Sequence, residues 1–287
     1  MNSVYLNGAW KSEADARVSV FDRSFQLGDG MFETLRIHQG QPLFWMEHWK
    51  RWQETAAGLH LSPPLESTQQ KWIALELIQK NHVAEGVLRM HLSRGTGSRG
   101  YSLRGAETPL LVLSSHPITQ DPFGDHLRWA LITAAIRWPN ADPLSKWKTA
   151  NRLISILAKA EADAAGAEES LICQSDDWVM EGASSNFFWW NGDRLQTPPL
   201  SLGVLPGITR EIVIKLARAQ GIVVDEIVTQ RRMLAKADGM FSTLSTLGLV
   251  STTRLDDQQV TDHPMTHWLR NAYRKQLTES LHENSHS

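Results

Sequence analysis

Two ionisable residues stand where they could carry covalent and proton-transfer chemistry. Lys148 lies in the segment Lys146-Trp-Lys-Thr-Ala-Asn151, directly before a predicted helix. A lysine amine can form an imine with an aldehyde cofactor and can then shuttle protons. Glu181 ends a predicted strand, where a carboxylate can keep the ring nitrogen of a pyridine cofactor protonated. Either residue alone is more often a solvated surface charge, so the interpretation depends on the motifs around them.

A glycine-bearing turn runs from Gly203 to Arg210 into a predicted helix. The backbone amides and the dipole at such a helix start suit an anion such as phosphate, here around Gly207, Ile208 and Thr209. The Arg51 side chain would add a charge-assisted contact to the same anion. The alternative is a plain loop with a threonine cap.

A second glycine-rich segment carries two arginines and a tyrosine. It reads Arg94-Gly-Thr-Gly-Ser-Arg99-Gly-Tyr101-Ser. Arg99 and Tyr101 on such a loop suit a substrate that bears carboxylates, whereas the alternative is a mobile surface hairpin. Arg89 and His91, two residues apart on a predicted strand, share one face and offer another conceivable carboxylate site.

Strands and helices that would position these residues alternate along the chain, which predicts a mixed α/β fold. Strands are predicted at 4–8, 32–38, 87–93, 110–115, 127–133, 169–174, 178–180, 187–190, 222–228 and 240–243. Helices are predicted at 44–57, 66–81, 151–165, 209–220 and 264–281. The loop-rich stretch 117–125 is the predicted connector between a smaller domain, 1–116, and a larger domain, 126–287.

Composition narrows the class of protein further. The chain has 287 residues, a formal net charge of −2 and one cysteine, Cys173. Near-neutral charge argues against nucleic-acid or anionic-membrane binding, and a single cysteine excludes an intrachain disulfide. The histidines and the cysteine show no metal-binding spacing. With no signal peptide or apolar run of membrane-spanning length, the expected location is the cytoplasm.

Six blocks, in order, resemble the class IV aminotransferases, also called fold-type IV pyridoxal 5′-phosphate (PLP) enzymes. The resemblance covers residues 18–255. The blocks are Asp22–Thr34, Glu47–Arg51, Lys148–Arg152, Glu181–Asn186, Gly203–Arg210, and Ala237-Asp238 with Phe241–Ser245. The resemblance implies two α/β domains of the D-amino-acid aminotransferase-like fold with the PLP site between them, in a homodimer.

The same resemblance implies roles for single residues. Lys148 would form the Schiff base with PLP, and Glu181 would face the pyridine nitrogen. The other expected cofactor ligands are Arg51, Ser185, Asn186, Gly207, Ile208, Thr209 and Ser245. Metal ligands are not expected.

The family contains branched-chain aminotransferases, D-amino-acid aminotransferases and 4-amino-4-deoxychorismate lyases. The segment Ser93–Ser102 and the Asn151-Arg152 pair after the lysine resemble the lyase, and Gly248 replaces an acidic residue of both aminotransferase groups. The expected reaction therefore converts 4-amino-4-deoxychorismate to 4-aminobenzoate and pyruvate, a step toward folate. In it Lys148 removes a proton, Thr34 assists, and Arg99 and Tyr101 hold substrate carboxylates.

Three features leave an alternative open. Leu244 and Ser251 depart from the lyase pattern, and Arg89 with His91 resembles the Arg-x-His of D-amino-acid aminotransferases. The alternative is a class IV aminotransferase acting on D-amino acids or branched-chain L-amino acids with 2-oxoglutarate. A catalytically silent binding protein on the same fold is a third interpretation.

Overall fold

The chain folds into two compact units. The computed structural model describes residues 2–118 and 127–284. Unit 1 comprises Met1–Asp121, Trp147–Asn151 and Ser280–Ser287, and unit 2 comprises Pro122–Lys146 and Arg152–Glu279.

This division differs from the sequence-based one in two segments. The prediction assigned all of 126–287 to the second domain, whereas Trp147–Asn151 and Ser280–Ser287 group with unit 1. For the first segment the reason is backbone pairing, described below, which joins Lys148 to a strand of unit 1. Most of the predicted connector, 119–125, lies outside the described residues.

Unit 1 is built on an antiparallel sheet of six strands in the order β2-β1-β6-β5-β3-β4. Strands β1 to β6 are Ser3–Leu6, Ala9–Ser12, Gly30–His38, Gln41–Pro42, Gly86–Ser93 and Leu110–Pro117. Helices α1 to α3 are Arg23–Leu27, Trp45–Gly58 and Ser67–Lys80.

The side chains of β3 alternate between two faces of this sheet, a core face and an open face. Met31 and Leu35 point into the core with the buried tryptophans of α2, which are Trp45, Trp49 and Trp52. Phe32 and Thr34 lie on the opposite face and are only half-buried. Because side chains alternate along a strand, this second face is where β3 can present residues to a ligand.

Unit 2 is built on a mixed sheet of nine strands. Strands β7 to β15 are Arg128–Trp138, Glu169–Gln174, Val179–Gly182, Asn186–Asn191, Arg194–Thr197, Val224–Glu226, Gly239–Leu244, Gly248–Leu255 and Gln258–Gln259. Their order is β12-β11-β10-β13-β14-β7-β8-β9, with β15 beside β14. Parallel pairs join β7 to β8 and to β14, and β11 to β12.

Helices α4 to α6 are Leu153–Ala164, Ile208–Ala219 and Pro264–Asn284, and short 3-10 turns occupy Leu200–Leu202 and Arg231–Lys236. Helix α4 links the parallel strands β7 and β8 and lies against both. The mixed helix-and-sheet fold in two units confirms the predicted fold class.

In the described part of the chain, every helix is too short or too polar to span a bilayer. Residues 2–118 and 127–284 also lack a cluster of potential metal ligands. Cys173 is buried in the core of unit 2, and burial raises the pKa of its thiol to about 11. It is therefore a protonated core residue near neutral pH.

Candidate active site

The Lys148 segment is attached to the start of β3. Phe32 N donates to Lys148 O at 3.0 Å, Ala150 N donates to Gly30 O at 2.8 Å, and Met31 and Thr149 form an antiparallel bridge. Lys148 is half-buried, whereas Lys146 is exposed. The backbone pairing thus fixes the position of Lys148 against the sheet of unit 1.

The open face of β3 and β5 gathers several of the predicted site residues, and we call it the lysine face: Phe32, Thr34, Arg89, His91 and Lys148. The Lys148 Nζ atom lies 4.8 Å from the centroid of the Phe32 ring, and Arg89 Cζ lies 3.7 Å from the same centroid. In the β3–β5 register Phe32 pairs with His91 and Thr34 with Arg89. The face therefore combines an amine, a hydroxyl, an imidazole and a guanidinium around one aromatic ring.

His91 on this face is held by a local contact. Its Nε2 lies 3.0 Å from Ser24 Oγ. Burial, helped by the charge of Arg89, lowers the pKa of His91, and Asp22 opposes this only in part. His91 is thus neutral near pH 7 and serves as a hydrogen-bonding group rather than a fixed cation.

On the core face of β3, Glu33 forms a buried cluster with His48 and Arg51 of α2. Arg51 donates through Nε to Glu33 Oε1 at 2.7 Å and through a terminal nitrogen to Oε2 at 2.8 Å. His48 Nδ1 lies 2.7 Å from Glu33 Oε2. All three side chains are almost fully buried.

The charge balance of this cluster follows from its contacts. Burial alone would raise the pKa of Glu33, but Arg51, with a smaller contribution from His48, holds that pKa far below its ordinary value. Burial lowers the pKa of His48; Glu33 opposes this, while the charges of Arg51 and Lys148 act in the same direction as burial, and the net shift is downward. A neutral His48 therefore donates from Nδ1 to the carboxylate, and Arg51 supplies the balancing charge.

Unit 2 forms a second arrangement, the glutamate cradle, defined by Glu181, Asn186, Leu205 and Gly207. Glu181 Oε2 accepts from Asn186 Nδ2 at 2.9 Å and from Leu205 N at 3.0 Å. Asn186 Nδ2 also donates to Leu205 O at 2.9 Å. These bonds fix the orientation of the Glu181 carboxylate at the end of β9, and both side chains are buried.

Gly207 is the N-cap residue of α5, and a larger residue there would have to displace the Asn186 side chain. A Cβ atom at position 207 would lie 1.9 Å from Asn186 Oδ1, although the backbone (φ −70°, ψ 135°) is open to any residue. Ile208 and Thr209 begin the helix and are buried, and Thr209 Oγ1 lies 3.4 Å from Tyr273 OH. The free backbone amides in the first turn of this 12-residue helix can bind an anion.

A buried glutamate shapes the turn between β9 and β10. Glu169 accepts from the backbone amides of Ala183 and Ser184 at 3.2 and 3.0 Å, and from Ser184 Oγ at 2.6 Å. Ser185 Oγ is a weaker donor at 3.4 Å. Glu169 thereby fixes the turn that leads into Asn186.

The remaining predicted residues lie elsewhere in their units. Ser245 is in the turn between β13 and β14, and it is half-buried. Arg99 and Tyr101 lie on the loop after β5, where both are exposed, Tyr101 by 87%. Each unit thus gathers a subset: unit 1 holds Lys148 and the predicted substrate residues, and unit 2 holds most of the predicted cofactor ligands.

Sequence reasoning missed Glu33, His48 and Glu169 as parts of the site. Their partners lie on other elements, so only the tertiary fold reveals the contacts. The one available signal was residue type, because charged residues inside otherwise apolar strands are seldom buried without a partner.

Comparison with known proteins assigns the family. The amino-transferase class IV family model matches residues 30–255, so the chain belongs to this family of PLP-dependent enzymes. A "Putative branched-chain-amino-acid aminotransferase" of Methanocaldococcus jannaschii is 33% identical over 90% of this chain and 89% of its own. A D-alanine aminotransferase of Bacillus licheniformis is 28% identical over 90% and 89% of the two chains. The crystal structure of 4-amino-4-deoxychorismate lyase from Pseudomonas aeruginosa superposes with a TM-score of 0.83 at 27% identity, covering 96% of this chain and 99% of that one.

Residues of each unit, taken separately, have the chemistry that PLP requires. Lys148 offers a half-buried amine, and the glutamate cradle offers an oriented carboxylate beside a glycine whose Cβ is excluded. Thr243, the β13 partner of Asn186, has a buried Oγ1 without a hydrogen-bond partner. Buried hydroxyls are nearly always hydrogen-bonded, so a polar ligand at this position would satisfy it.

Proposed function

We propose that this chain is an aminodeoxychorismate lyase, which converts 4-amino-4-deoxychorismate to 4-aminobenzoate and pyruvate in folate biosynthesis. The observation that carries the proposal is the position of Thr34. Thr34 lies on the lysine face, two residues after Phe32 on β3 and opposite Arg89 on β5. A lyase needs a base to take the ring proton and a donor near the departing enolpyruvyl oxygen, and Lys148 and Thr34 supply these two groups.

We assign the cofactor ligands that the family resemblance implies. PLP, when bound, supplies an electron sink that accepts the charge left by proton removal. Lys148 is its covalent ligand, and Glu181, oriented by Asn186, pairs with the ring nitrogen. The phosphate is held by Gly207, Ile208 and Thr209 at the start of α5, with Arg51, Ser185 and Ser245 as further ligands.

Within this proposal the chain's own residues have distinct tasks. Lys148 accepts the proton from the carbon that bears the substrate amine. Thr34 donates a hydrogen bond to the leaving oxygen, so that pyruvate departs and the ring becomes aromatic. The substrate carries two carboxylates, which match the cationic side chains of Arg99 and Arg89, with Tyr101 as a hydrogen-bond donor.

Aminodeoxychorismate supplied to the purified, PLP-loaded protein tests the proposal. We expect 4-aminobenzoate and pyruvate to form in equal amounts. Lys148→Ala should abolish both products and the visible absorbance band of bound PLP, whereas Lys146→Ala, its exposed neighbour, should retain them. Amino-group transfer to 2-oxoglutarate without 4-aminobenzoate would reject the lyase assignment.

A class IV aminotransferase is the second candidate. Arg89 and His91 share the lysine face, where they could bind the carboxylate of a D-amino acid or a branched-chain L-amino acid. Two of the relatives named above carry aminotransferase names. Incubation with D-alanine or L-leucine and 2-oxoglutarate measures this activity, and amino-group transfer without 4-aminobenzoate formation from aminodeoxychorismate would favour the aminotransferase over the lyase.

We further propose that the enzyme is a cytoplasmic homodimer. A single buried, protonated cysteine fits a reducing compartment. In the segment 18–27 of unit 1, five apolar side chains each expose 43% to 70% of their surface. They are Val18, Val20, Phe21, Phe25 and Leu27. A patch of this kind is typical of a surface that binds another protein, and a second copy of the chain is the proposed partner.

A further inference from the structure

The loop that carries Arg99 and Tyr101 has little side-chain packing of its own. Arg99 is exposed, and so are Tyr101 and Leu103, by 87% and 43%. A loop with few buried apolar contacts is mobile unless its backbone is tied down. Two contacts to backbone carbonyls of this loop come from α1.

Arg23 makes these contacts. Its side chain is 5% exposed, and a terminal nitrogen donates to Gly100 O at 3.0 Å. Gly100 is the residue between Arg99 and Tyr101. The Arg23 backbone amide donates to Gly95 O at 2.9 Å, so one residue holds the loop at its start and at its middle.

Asp29 orients the Arg23 guanidinium. Arg23 Nε donates to Asp29 Oδ2 at 2.8 Å, and Arg94 Nε donates to the same oxygen at 2.8 Å. Arg94 also donates to Leu59 O and His60 O at 2.7 and 2.8 Å, which joins the cluster to the residues after α2. Burial would raise the pKa of Asp29, but the two arginines outweigh it, so the pKa is lowered and Asp29 is charged near neutral pH.

We infer that Arg23, oriented by Asp29, is a positioning residue that sets the place of Arg99 and Tyr101 and thereby the affinity for a dicarboxylate substrate. The inference rests on the proposed function for its substrate. An arginine suits the role because its planar fork can donate to a carboxylate and to a carbonyl in fixed directions at once. A lysine has a single nitrogen and cannot reproduce both contacts in the same geometry.

Arg23→Gln is the informative variant. It removes the bond to Gly100 but leaves Asp29 paired with Arg94, so the half-buried carboxylate keeps a balancing charge and the fold should persist. We expect trypsin to cleave after Arg99 several-fold faster, because the loop samples open conformations more often. The KM for aminodeoxychorismate should rise by about fivefold or more while kcat changes by less than about twofold. Arg23→Lys should show an intermediate effect on both quantities.

Arg104→Gln is the matched control, since it removes one positive charge from an exposed position on the same loop. It should change neither the cleavage rate after Arg99 nor KM by more than about twofold. An unchanged cleavage rate in Arg23→Gln would overturn the positioning role, and faster cleavage with an unchanged KM would overturn its link to substrate. If the parent enzyme makes no 4-aminobenzoate, the proposed function fails, while the cleavage rates still decide whether Arg23 holds the loop.

Discussion

At the scale of single residues, the site depends on charges that are buried with matched partners. Glu33 and Arg51 are nearly fully buried and share two hydrogen bonds. Replacing both by apolar groups can be neutral, but removing one partner strands the other charge in the core. The Glu33–Arg51 pair therefore constrains mutation much more than an exposed ion pair does.

Glu33→Gln tests this constraint. We expect the free energy of unfolding to fall by about 3–5 kcal/mol, because the Arg51 charge would lose its balancing carboxylate. Glu54→Gln is the control. Glu54 is exposed and forms an i,i+4 pair with Lys50 on α2, the helix that carries Arg51. This variant should change the free energy of unfolding by less than about 1 kcal/mol. Urea unfolding of both variants measures the difference. Equal midpoints would refute the energetic role of the buried pair.

The same residue makes stability depend on pH in a defined direction. The pKa of Glu33 is far lower in the folded than in the unfolded protein, so the unfolded state binds the extra proton in acid. Its stabilising contribution is therefore complete above the unfolded-state pKa of about 4.3 and declines as pH falls below it. Unfolding free energies measured between about pH 3 and 6 should have a shallower slope in Glu33→Gln than in the parent. A parallel decline would assign the acid sensitivity to other carboxylates.

Motifs and strand spacing predicted several of the side chains that gather on the lysine face, but not what holds the buried charges beside it. Lys148, Arg89 and His91 could be proposed from type and spacing because they sit in motifs or at strand periodicity. Glu33 and His48 escaped because their contact joins a strand to a helix 15 residues away. Such a contact depends on how the two elements pack, which no local pattern encodes.

At the scale of elements, the sequence predicted the five long helices, α2 to α6, but it missed the short helix α1 and several strands, among them the eight-residue β14. Strand β8 occupies the predicted residues, Glu169–Gln174, since its apolar run has clear boundaries. Helix α1 was missed because five residues, capped by Asp22, are too few for periodicity. The predicted strand 222–228 shrinks to Val224–Glu226, which pairs only with β11 at the sheet edge. Pairing partners, rather than propensity, decided its length.

The junction of β10 and α5 illustrates how elements orient the site. Gly207 allows the start of α5 to approach Asn186, and Asn186 in turn orients Glu181. Gly207→Ala should displace Asn186 and weaken PLP binding by about tenfold, or about 1.4 kcal/mol. Equilibrium titration of the apoprotein with PLP, followed by absorbance, measures this loss.

Asn186→Ala provides the matched background for this experiment. With the amide removed, the added methyl group no longer clashes, so Gly207→Ala should cause little further loss of PLP affinity. A full additive loss in the double variant would mean that Gly207 acts through the helix start itself. The double-mutant cycle thus separates the steric role of the glycine from a direct contact with phosphate.

At the scale of the whole molecule, the exposed apolar segment 18–27 decides the expected assembly. Phe21 and Phe25 expose 67% and 70% of their surface, which is costly in water, and the proposed dimer would cover them. A two-fold dimer would bury the same segment on both copies, because an isologous interface uses one patch twice.

The double variant Phe21→Asp with Phe25→Asp tests this assembly. We expect the parent to have twice the mass of one chain by light scattering, and the variant to have the mass of one chain, since four buried aspartates would carry unpaired charge. Trp72→Asp is the control, because Trp72 is also an aromatic residue of unit 1 with an exposed side chain, at 64%. Unlike the two phenylalanines, Trp72 lies on α3, beside a groove lined by Gln39, Gln41 and His82. A monomeric Trp72→Asp protein with a dimeric double variant would move the interface from segment 18–27 to this groove. Helix α1 begins with Arg23. If the double variant lost both dimerisation and lyase activity, the interface would also support the loop that Arg23 holds.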